Sequence, residues 1–400
     1  MVTVFQSGTL TTAVRDRALV AARVAGAPAT TGRGFTIGLW RVIRNGVTVK
    51  QASQAGWAFP MGVTALPGDA IGATMGRNVS GNVGGDRVVM GATGATVAGI
   101  QAGDLLEVWN ASNGISTLRV SVVADDSAVG GAEILMTTDQ ATNLGYTIDT
   151  RVLVYGQFER ARLETALYGQ GLLTDTKVRV RRSWDAFDPD LTIGIARTKQ
   201  TMGEFDYAHL DIQGNTSGWV SMSATWIANY LRPRETYPTG IQARCNREIH
   251  DDLVNALDQV VAAGLAGAID VANTNSFGGC GTGQVRFSRN GTALGSISRH
   301  SWAMALDTNT VTNCQGCVPQ LDCRVVRIFR ANGFAWGGNF LTPDGMHFEW
   351  VGEPRHTYTY PSKYCPNTTP PAPTERLDSI RENQATFFAE DGASLEAHDH

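Results

Sequence analysis

The fold of the C-terminal region is decided by two stretches, Ser298-Arg-His-Ser-Trp-Ala-Met-Ala-Leu-Asp307 and Phe334-Ala-Trp-Gly-Gly-Asn-Phe-Leu-Thr-Pro-Asp-Gly-Met-His-Phe-Glu-Trp350. Together they contain two histidines and several carboxylates. A catalytic zinc site uses three protein ligands and leaves the fourth position to water. Two imidazoles and one carboxylate suit zinc better than calcium or magnesium, which prefer all-oxygen shells. The two stretches therefore predict a three-ligand metal site.

The order of these motifs resembles the VanX/VanY-type D-alanyl-D-alanine carboxypeptidases, in which Ser-x-His-x-x-Gly-x-Ala-x-Asp precedes Asp/Glu-x-x-His. Trp-Gly-Gly-Asn-Phe followed by Pro-Asp-Gly-Met-His-Phe-Glu is most similar to the phage L-alanyl-D-glutamate endopeptidases of that family. The resemblance covers about residues 238–355. It implies an α+β zinc peptidase domain, with a small antiparallel sheet and helices, that acts on the peptide stem of bacterial peptidoglycan.

Carried over residue by residue, the resemblance implies that His300, Asp307 and His347 ligate Zn²⁺ and that Asp344 is the catalytic base. Glu349 is the alternative base, because alternate residues of a strand point the same way and Glu349 would lie beside His347. Asp344 is favoured because it has the family's spacing. Glu349 is then expected to hydrogen-bond one of the metal ligands without binding the metal itself.

Three further positions follow from the same resemblance. Ser298, at the first position of the motif, is expected to help bind substrate. An upstream arginine that stabilises the developing oxyanion is expected at Arg286, with Arg289 as the second candidate. The family's glycine is replaced by Ala303. If that position requires a positive φ, alanine carries a conformational cost there.

The composition of the whole chain leads to expectations about its fold class. The 400 residues are 18% charged, contain 45 glycines and carry a net charge of −4, which favours a β-rich build with many turns. A general nucleic-acid binder is excluded, because phosphate binding requires a basic surplus. We predict a multidomain chain: a β-rich anchoring domain (1–170), a β-rich bridging segment (171–237), the zinc peptidase domain (238–360), and a Pro-rich linker with a polar tail (361–400).

Local patterns predict particular elements. Asn45-Gly46 predicts a hairpin, since Asn-Gly is the strongest short hairpin signal, and a second hairpin is expected around 110–114. Helical spacing of apolar residues predicts helices over 157–172 and 248–263.

All six cysteines lie in the C-terminal part, from Cys245 onward. Cys314, Cys317 and Cys323 have spacings that suit a second, structural zinc. Disulfides are the favoured reading, because peptidoglycan lies outside the reducing cytosol. Their connectivity is left open, since six cysteines can pair in many ways.

The sequence also leads to an expectation about cellular context. The first residues lack a basic region followed by an apolar run and a cleavage site, and no apolar run is long enough to span a membrane. A wall substrate without a signal peptide favours a phage virion enzyme, made in the host cytoplasm and carried by the tail to the next host's wall. Its partners would be other tail proteins, contacted through the N-terminal region, with the enzyme itself a homo-oligomer within the virion. The alternatives are a free endolysin of the same family and a structural tail protein with a vestigial peptidase domain.

Overall fold

The computed structural model describes residues 1–7, 9–212, 219–271, 279–287 and 297–367. It is a mixed α/β structure with a large sheet in the N-terminal region and a small sheet near the C-terminal motifs. Within the described ranges, every helix is too short or too polar to cross a bilayer. Arg289 and the residues beyond 367, which include most of the predicted linker and tail, lie outside the described residues.

Ten strands form the large sheet. They are β1 (Val2–Gln6), β2 (Ala29–Arg44), β3 (Val47–Gln51), β4 (Phe59–Leu66), β5 (Arg87–Gly91), β6 (Leu105–Trp109), β7 (Ile115–Ala124), β8 (Ile134–Thr137), β9 (Arg151–Val154) and β10 (Val178–Arg182). The strand order β2-β4-β8-β5-β7-β6 returns to β2, because β6 pairs with β2 as well as with β7. This closed path gives the region a barrel-like shape, and buried aliphatic side chains such as Ile37, Val63 and Leu106 pack together within it.

Both predicted hairpins are confirmed. β2 turns into β3 through Asn45 (φ 51°) and Gly46 (φ 80°), and two consecutive positive φ values are what a tight hairpin turn requires. β6 turns into β7 around Asn110, whose side-chain oxygen accepts hydrogen bonds from the backbone N–H groups of Ser112 and Gly114. The local side-chain acceptor explains why this longer turn is well defined.

The N-terminal region contains more helix than its sequence pattern predicts. Its helices are α1 (Thr12–Ala25), α2 (Gly68–Thr74), α3 (Arg77–Ser80), α4 (Ala92–Ala98), α5 (Thr138–Asn143) and α6 (Arg160–Gly169). Only α6 was expected. The buried face of α1 consists of Val14 and four alanines, which give a weak hydrophobic period, although Thr11 caps its first turn by accepting from Val14 N.

The C-terminal region is built from short elements. Its helices are α7 (Ile195–Met202), α8 (Ala224–Tyr230), α9 (His250–Ala262) and α10 (Cys323–Ala331), and its strands are β11 (Trp219–Ser221), β12 (Glu235–Thr236), β13 (Gln242–Ala243), β14 (Gln284–Arg286), β15 (Ala305–Asp307), β16 (Phe334–Trp336) and β17 (His347–Trp350). The helix predicted over 248–263 is confirmed as α9. Strands β15, β17 and β16 form a small antiparallel sheet, against which α10 packs.

The predicted bridging segment is less β-rich than expected, since it contains α7 and α8. Its first strand, β10, pairs with β1 in the large sheet. On α7, the buried Lys199 ammonium lies 2.6 Å from a Glu133 carboxylate oxygen and donates to Pro60 O at 2.8 Å. These contacts connect the segment to the barrel-like region. The division of the chain at residues 170 and 237 stays a prediction.

All six cysteines are paired, which confirms disulfides over a second zinc. The pairs are Cys245–Cys280, Cys314–Cys317 and Cys323–Cys365. The last pair joins the start of α10 to the segment that ends the described chain.

One buried histidine, His209, contributes to the pH dependence of stability. Its Nδ1 lies 3.1 Å from the Tyr207 hydroxyl, and its ring stacks with that of Trp109 of the large sheet. Burial lowers the pKa of His209 to about 4. The unfolded chain binds the same proton near pH 6.5, so stability is lost as the pH falls from about 6.5 towards 4, by about 3 kcal/mol in total.

We expect His209→Gln to remove most of this acid sensitivity. The comparison is between urea-unfolding midpoints at pH 7 and pH 4.5 for the wild type and the variant. An unchanged difference between the two midpoints in His209→Gln would show that other groups cause the acid sensitivity.

Candidate metal centre

His300 lies on a single 3₁₀ turn, Arg299–Trp302. The turn begins at Ser298, whose hydroxyl oxygen accepts a hydrogen bond from His300 N at 3.4 Å. It ends at Ala303 in the left-handed conformation, with φ 53° and ψ 33°. This short turn lets the chain reverse from the histidine directly into β15. It therefore sets the distance between His300 and Asp307.

The second and third candidate ligands are brought together by strand register. Asp307 on β15 and His347 on β17 are cross-strand partners in the antiparallel pair. Residues directly opposite in such a pair have their Cβ atoms about 4.5–5.5 Å apart, so their side chains meet on one face. Here Asp307 Oδ1 lies 3.0 Å from His347 Nδ1.

The three predicted ligands form one buried cluster. Their ligand atoms all lie within 4.8 Å of one another, and Asp307 Oδ2 is 3.1 Å from His300 Nε2. The far nitrogen of each imidazole is also held: His300 Nδ1 lies 3.3 Å from Cys280 O, and His347 Nε2 lies 3.5 Å from Glu349 Oε2. Metal-ligating histidines are typically oriented in this way by a carbonyl or a carboxylate. Two imidazoles and one carboxylate, converging from different directions, fit a zinc ion.

The two imidazoles differ in their protonation. Burial disfavours the charged form of both rings. For His347, the hydrogen bonds with Asp307 and Glu349 outweigh burial and raise the pKa to about 10. For His300, burial outweighs the attraction of Asp307 and lowers the pKa. A metal ion needs a free electron pair on each facing nitrogen, so metal binding must displace the proton of His347.

Asp344 lies next to this cluster on the turn before β17. Its N–H donates to Gly337 O at 2.8 Å, and its own carbonyl accepts from His347 N at 3.2 Å. The side chain is fully buried, and neither carboxylate oxygen has a hydrogen-bond partner among the described residues. The pKa of Asp344 is raised to about 8, mainly by burial; the charge of His347 opposes this rise, that of Asp307 adds to it, and that of Arg286 opposes it. With this pKa, the metal-free side chain is mostly protonated at neutral pH. A cation bound by the neighbouring cluster would favour its carboxylate form, which could then accept a proton.

Glu349 occupies a different position. It shares a strand face with His347, as predicted, and it is also held by Arg299, whose Nε donates to Glu349 Oε1 at 3.1 Å. It contacts the edge of the His347 ring that points away from Asp307. Glu349 is therefore placed to hold the His347 ring, and the choice of Asp344 over Glu349 as the base stays a prediction.

The other predicted residues are placed as follows. Arg286, on β14, is buried. Burial is the main cause of both pKa shifts; the positive charge of Arg286 adds to the lowering for His300 and partly opposes the rise for Asp344. Its backbone N–H donates to Ser301 Oγ at 2.8 Å, which fixes β14 against the His300 turn. The hydroxyl of Ser298 contacts the backbone of that turn, and its role towards substrate stays a prediction.

Three contributors to the site were not predicted. They are the guanidinium of Arg299, the carbonyl of Cys280 and the close approach at Gly337. A Cβ on Gly337 would lie 2.6 Å from Asp344 O and 3.0 Å from the Cβ of His347, so glycine is required for the turn to pack there. The adjacent glycines of Trp-Gly-Gly-Asn were the available signal for Gly337. The role of the Cys280 carbonyl could not be predicted, because every residue has a backbone carbonyl.

Ala303→Gly is expected to stabilise the protein. Alanine in the left-handed region costs about 1–2 kcal/mol, which glycine would relieve. Glycine also makes the unfolded chain more flexible, and this offsets part of the gain in stability. The expected net gain is about 0.5–1 kcal/mol in the free energy of unfolding, measured by urea denaturation. Ala305→Gly on β15 is the control and should destabilise. A loss of stability in Ala303→Gly would show that the Ala303 methyl contributes more by packing than it costs in backbone strain.

Comparison with known proteins agrees with this geometry. A search of curated proteins found no match to the chain. A family model described as D-alanyl-D-alanine carboxypeptidase matches residues 292–350. This range includes His300, Asp307, Asp344 and His347. The match to this family model therefore covers the segment that carries the candidate metal centre.

Proposed function

We propose that the protein is a zinc-dependent peptidase that cleaves the peptide stem of bacterial peptidoglycan. The observation that carries this proposal is the buried His300–Asp307–His347 cluster with the Asp344 carboxylate beside it. The family match over residues 292–350 supports a metallopeptidase that acts on the cell wall.

In this mechanism the chain supplies three functions around the metal. When bound, zinc polarises the scissile carbonyl and makes a water molecule acidic enough to react near neutral pH. Asp344 accepts the proton of the attacking water and passes it to the leaving amine. Arg286 stabilises the negative charge that develops on the carbonyl oxygen. Ser298 helps to orient the peptide.

We also propose that the enzyme is a component of a phage virion. A large N-terminal region with its own closed sheet precedes the metal centre, and three disulfides in the C-terminal region suit an extracellular wall substrate. We propose that residues 1–170 anchor the enzyme to other tail proteins as a homo-oligomer. If a chain that begins near residue 238 still enters particles, this anchoring role is wrong. The alternatives are a free endolysin and a structural tail protein with a vestigial site.

The test is mass spectrometry of purified peptidoglycan after incubation with the zinc-loaded protein. Hydrolysis should release fragments whose masses identify the bond. Loss of one terminal D-alanine indicates a carboxypeptidase, and separation of L-alanine from D-glutamate indicates an endopeptidase. A chelator should stop the reaction, and added Zn²⁺ should restore it. Intact peptidoglycan in the presence of a zinc-loaded protein would instead support the vestigial structural protein.

A further inference from the structure

The Cys245–Cys280 disulfide includes a residue, Cys280, that contacts the His300 ring on the side facing away from Asp307. Both cysteines are fully buried. The carbonyl oxygen of Cys280 lies 3.3 Å from His300 Nδ1, the nitrogen that faces away from Asp307. His300 Nε2 faces Asp307 at 3.1 Å. The Cys280 carbonyl therefore accepts the Nδ1 proton and leaves Nε2 with its free electron pair towards the cluster.

The residues that follow the two cysteines also hold the His300 turn. After Cys245, Asn246 donates its backbone N–H to Ala303 O at 2.9 Å and its side-chain amide to Trp302 O at 3.1 Å. After Cys280, Gly281 packs so closely on the turn that a Cβ there would lie 2.7 Å from both His300 O and the Ala303 methyl. The two chain segments that the disulfide joins thus contact the same turn from two directions.

Among the described residues, Cys280 is positioned by tertiary contacts and not by a helix or strand of its own. It lies outside the strands, four residues before β14. It is tied to residues 244–246 by the disulfide and by the hydrogen bond from Gly281 N to Arg244 O at 3.1 Å. A small movement of residue 280 would take its carbonyl out of reach of His300 Nδ1.

We infer that the Cys245–Cys280 disulfide is a positioning element of the metal centre, because it fixes the carbonyl that orients the His300 imidazole. This inference rests on the proposed zinc site. Its consequence is that zinc affinity depends on a covalent bond between residues that do not themselves bind metal. Loss of a group that orients a ligand typically costs about 10–100-fold in metal affinity.

The experiment compares two double variants of the full chain, Cys245→Ala/Cys280→Ala and Cys323→Ala/Cys365→Ala. The second pair is the matched control, since its sequence separation is 42 against 35 and its Cα–Cα distance is 5.0 Å against 4.8 Å. Zn²⁺ affinity is measured by competition with a chromophoric chelator, and stability by urea unfolding. We expect similar losses of stability in both, but a loss of zinc affinity of tenfold or more only in Cys245→Ala/Cys280→Ala.

Gly281→Ala provides a second measurement in case Cys245→Ala/Cys280→Ala does not fold. It keeps the disulfide but pushes the Cys280 segment away from the His300 turn, so zinc affinity should fall at least several-fold. Wild-type affinity in Gly281→Ala, or equal losses of affinity in the two double variants, would overturn the inference. If the wild-type protein itself binds no Zn²⁺, the proposed function fails instead.

Discussion

Asp344→Asn is expected to abolish hydrolysis while the protein keeps its zinc. Asparagine preserves the size and the buried position of the side chain, but it cannot accept a proton. General-base catalysis contributes about 10²–10⁴-fold, so kcat should fall by at least that factor. Peptidoglycan digestion measures the activity, and elemental analysis of the purified variant measures the zinc.

Glu349→Gln is the matched control for this prediction. It makes the same chemical change at Glu349, whose carboxylate contacts the outer edge of the His347 ring and is held by Arg299. We expect a smaller loss of activity than in Asp344→Asn, because the change affects how the ligand is held and leaves the proton acceptor intact. If Asp344→Asn stays within about tenfold of the wild type while Glu349→Gln is inactive, Glu349 is the base.

His347→Ala is expected to lose both zinc and activity. It removes one of three protein ligands, and it leaves Asp307 without the imidazole that lies 3.0 Å from its Oδ1. Zinc content after dialysis should fall from about one ion per chain to near zero. The effect should therefore differ from Asp344→Asn in metal content, although both variants are inactive.

His356→Ala serves as the control for metal binding, because His356 is exposed and outside the cluster. It should keep its zinc and its activity. Full zinc occupancy in His347→Ala would contradict the assignment of His347 as a ligand.

Much of the site could be predicted from the sequence because its chemistry is local in the chain. His300 and Asp307 belong to one motif, and Asp344, His347 and Glu349 belong to another, so the resemblance of these two motifs to a known family was sufficient to propose their roles. The same holds for the hairpin at Asn45-Gly46 and for α9. In each case, neighbours within a few residues determine the backbone conformation or the face on which a side chain lies.

The features that only the tertiary structure decided are contacts between segments that are distant in the sequence. The register of β15 and β17 places Asp307 opposite His347, and the pairing of β6 with β2 closes the large sheet. A sequence pattern does not specify which strand edges meet. The disulfide connectivity could not be predicted either, because cysteines are chemically equivalent. The contact of the Cys280 carbonyl with His300 could not be predicted because every residue has a carbonyl.

Ala303 illustrates the boundary between the two. The sequence alone showed that alanine stands where the family has glycine, and that a positive φ would make this costly. The structure decided that φ is indeed positive, at 53°. The residue is held in that conformation by the packing of Gly281 and the hydrogen bond from Asn246, which are contacts between segments far apart in the chain. Local preference sets the cost of a conformation, and long-range packing determines whether the chain adopts it.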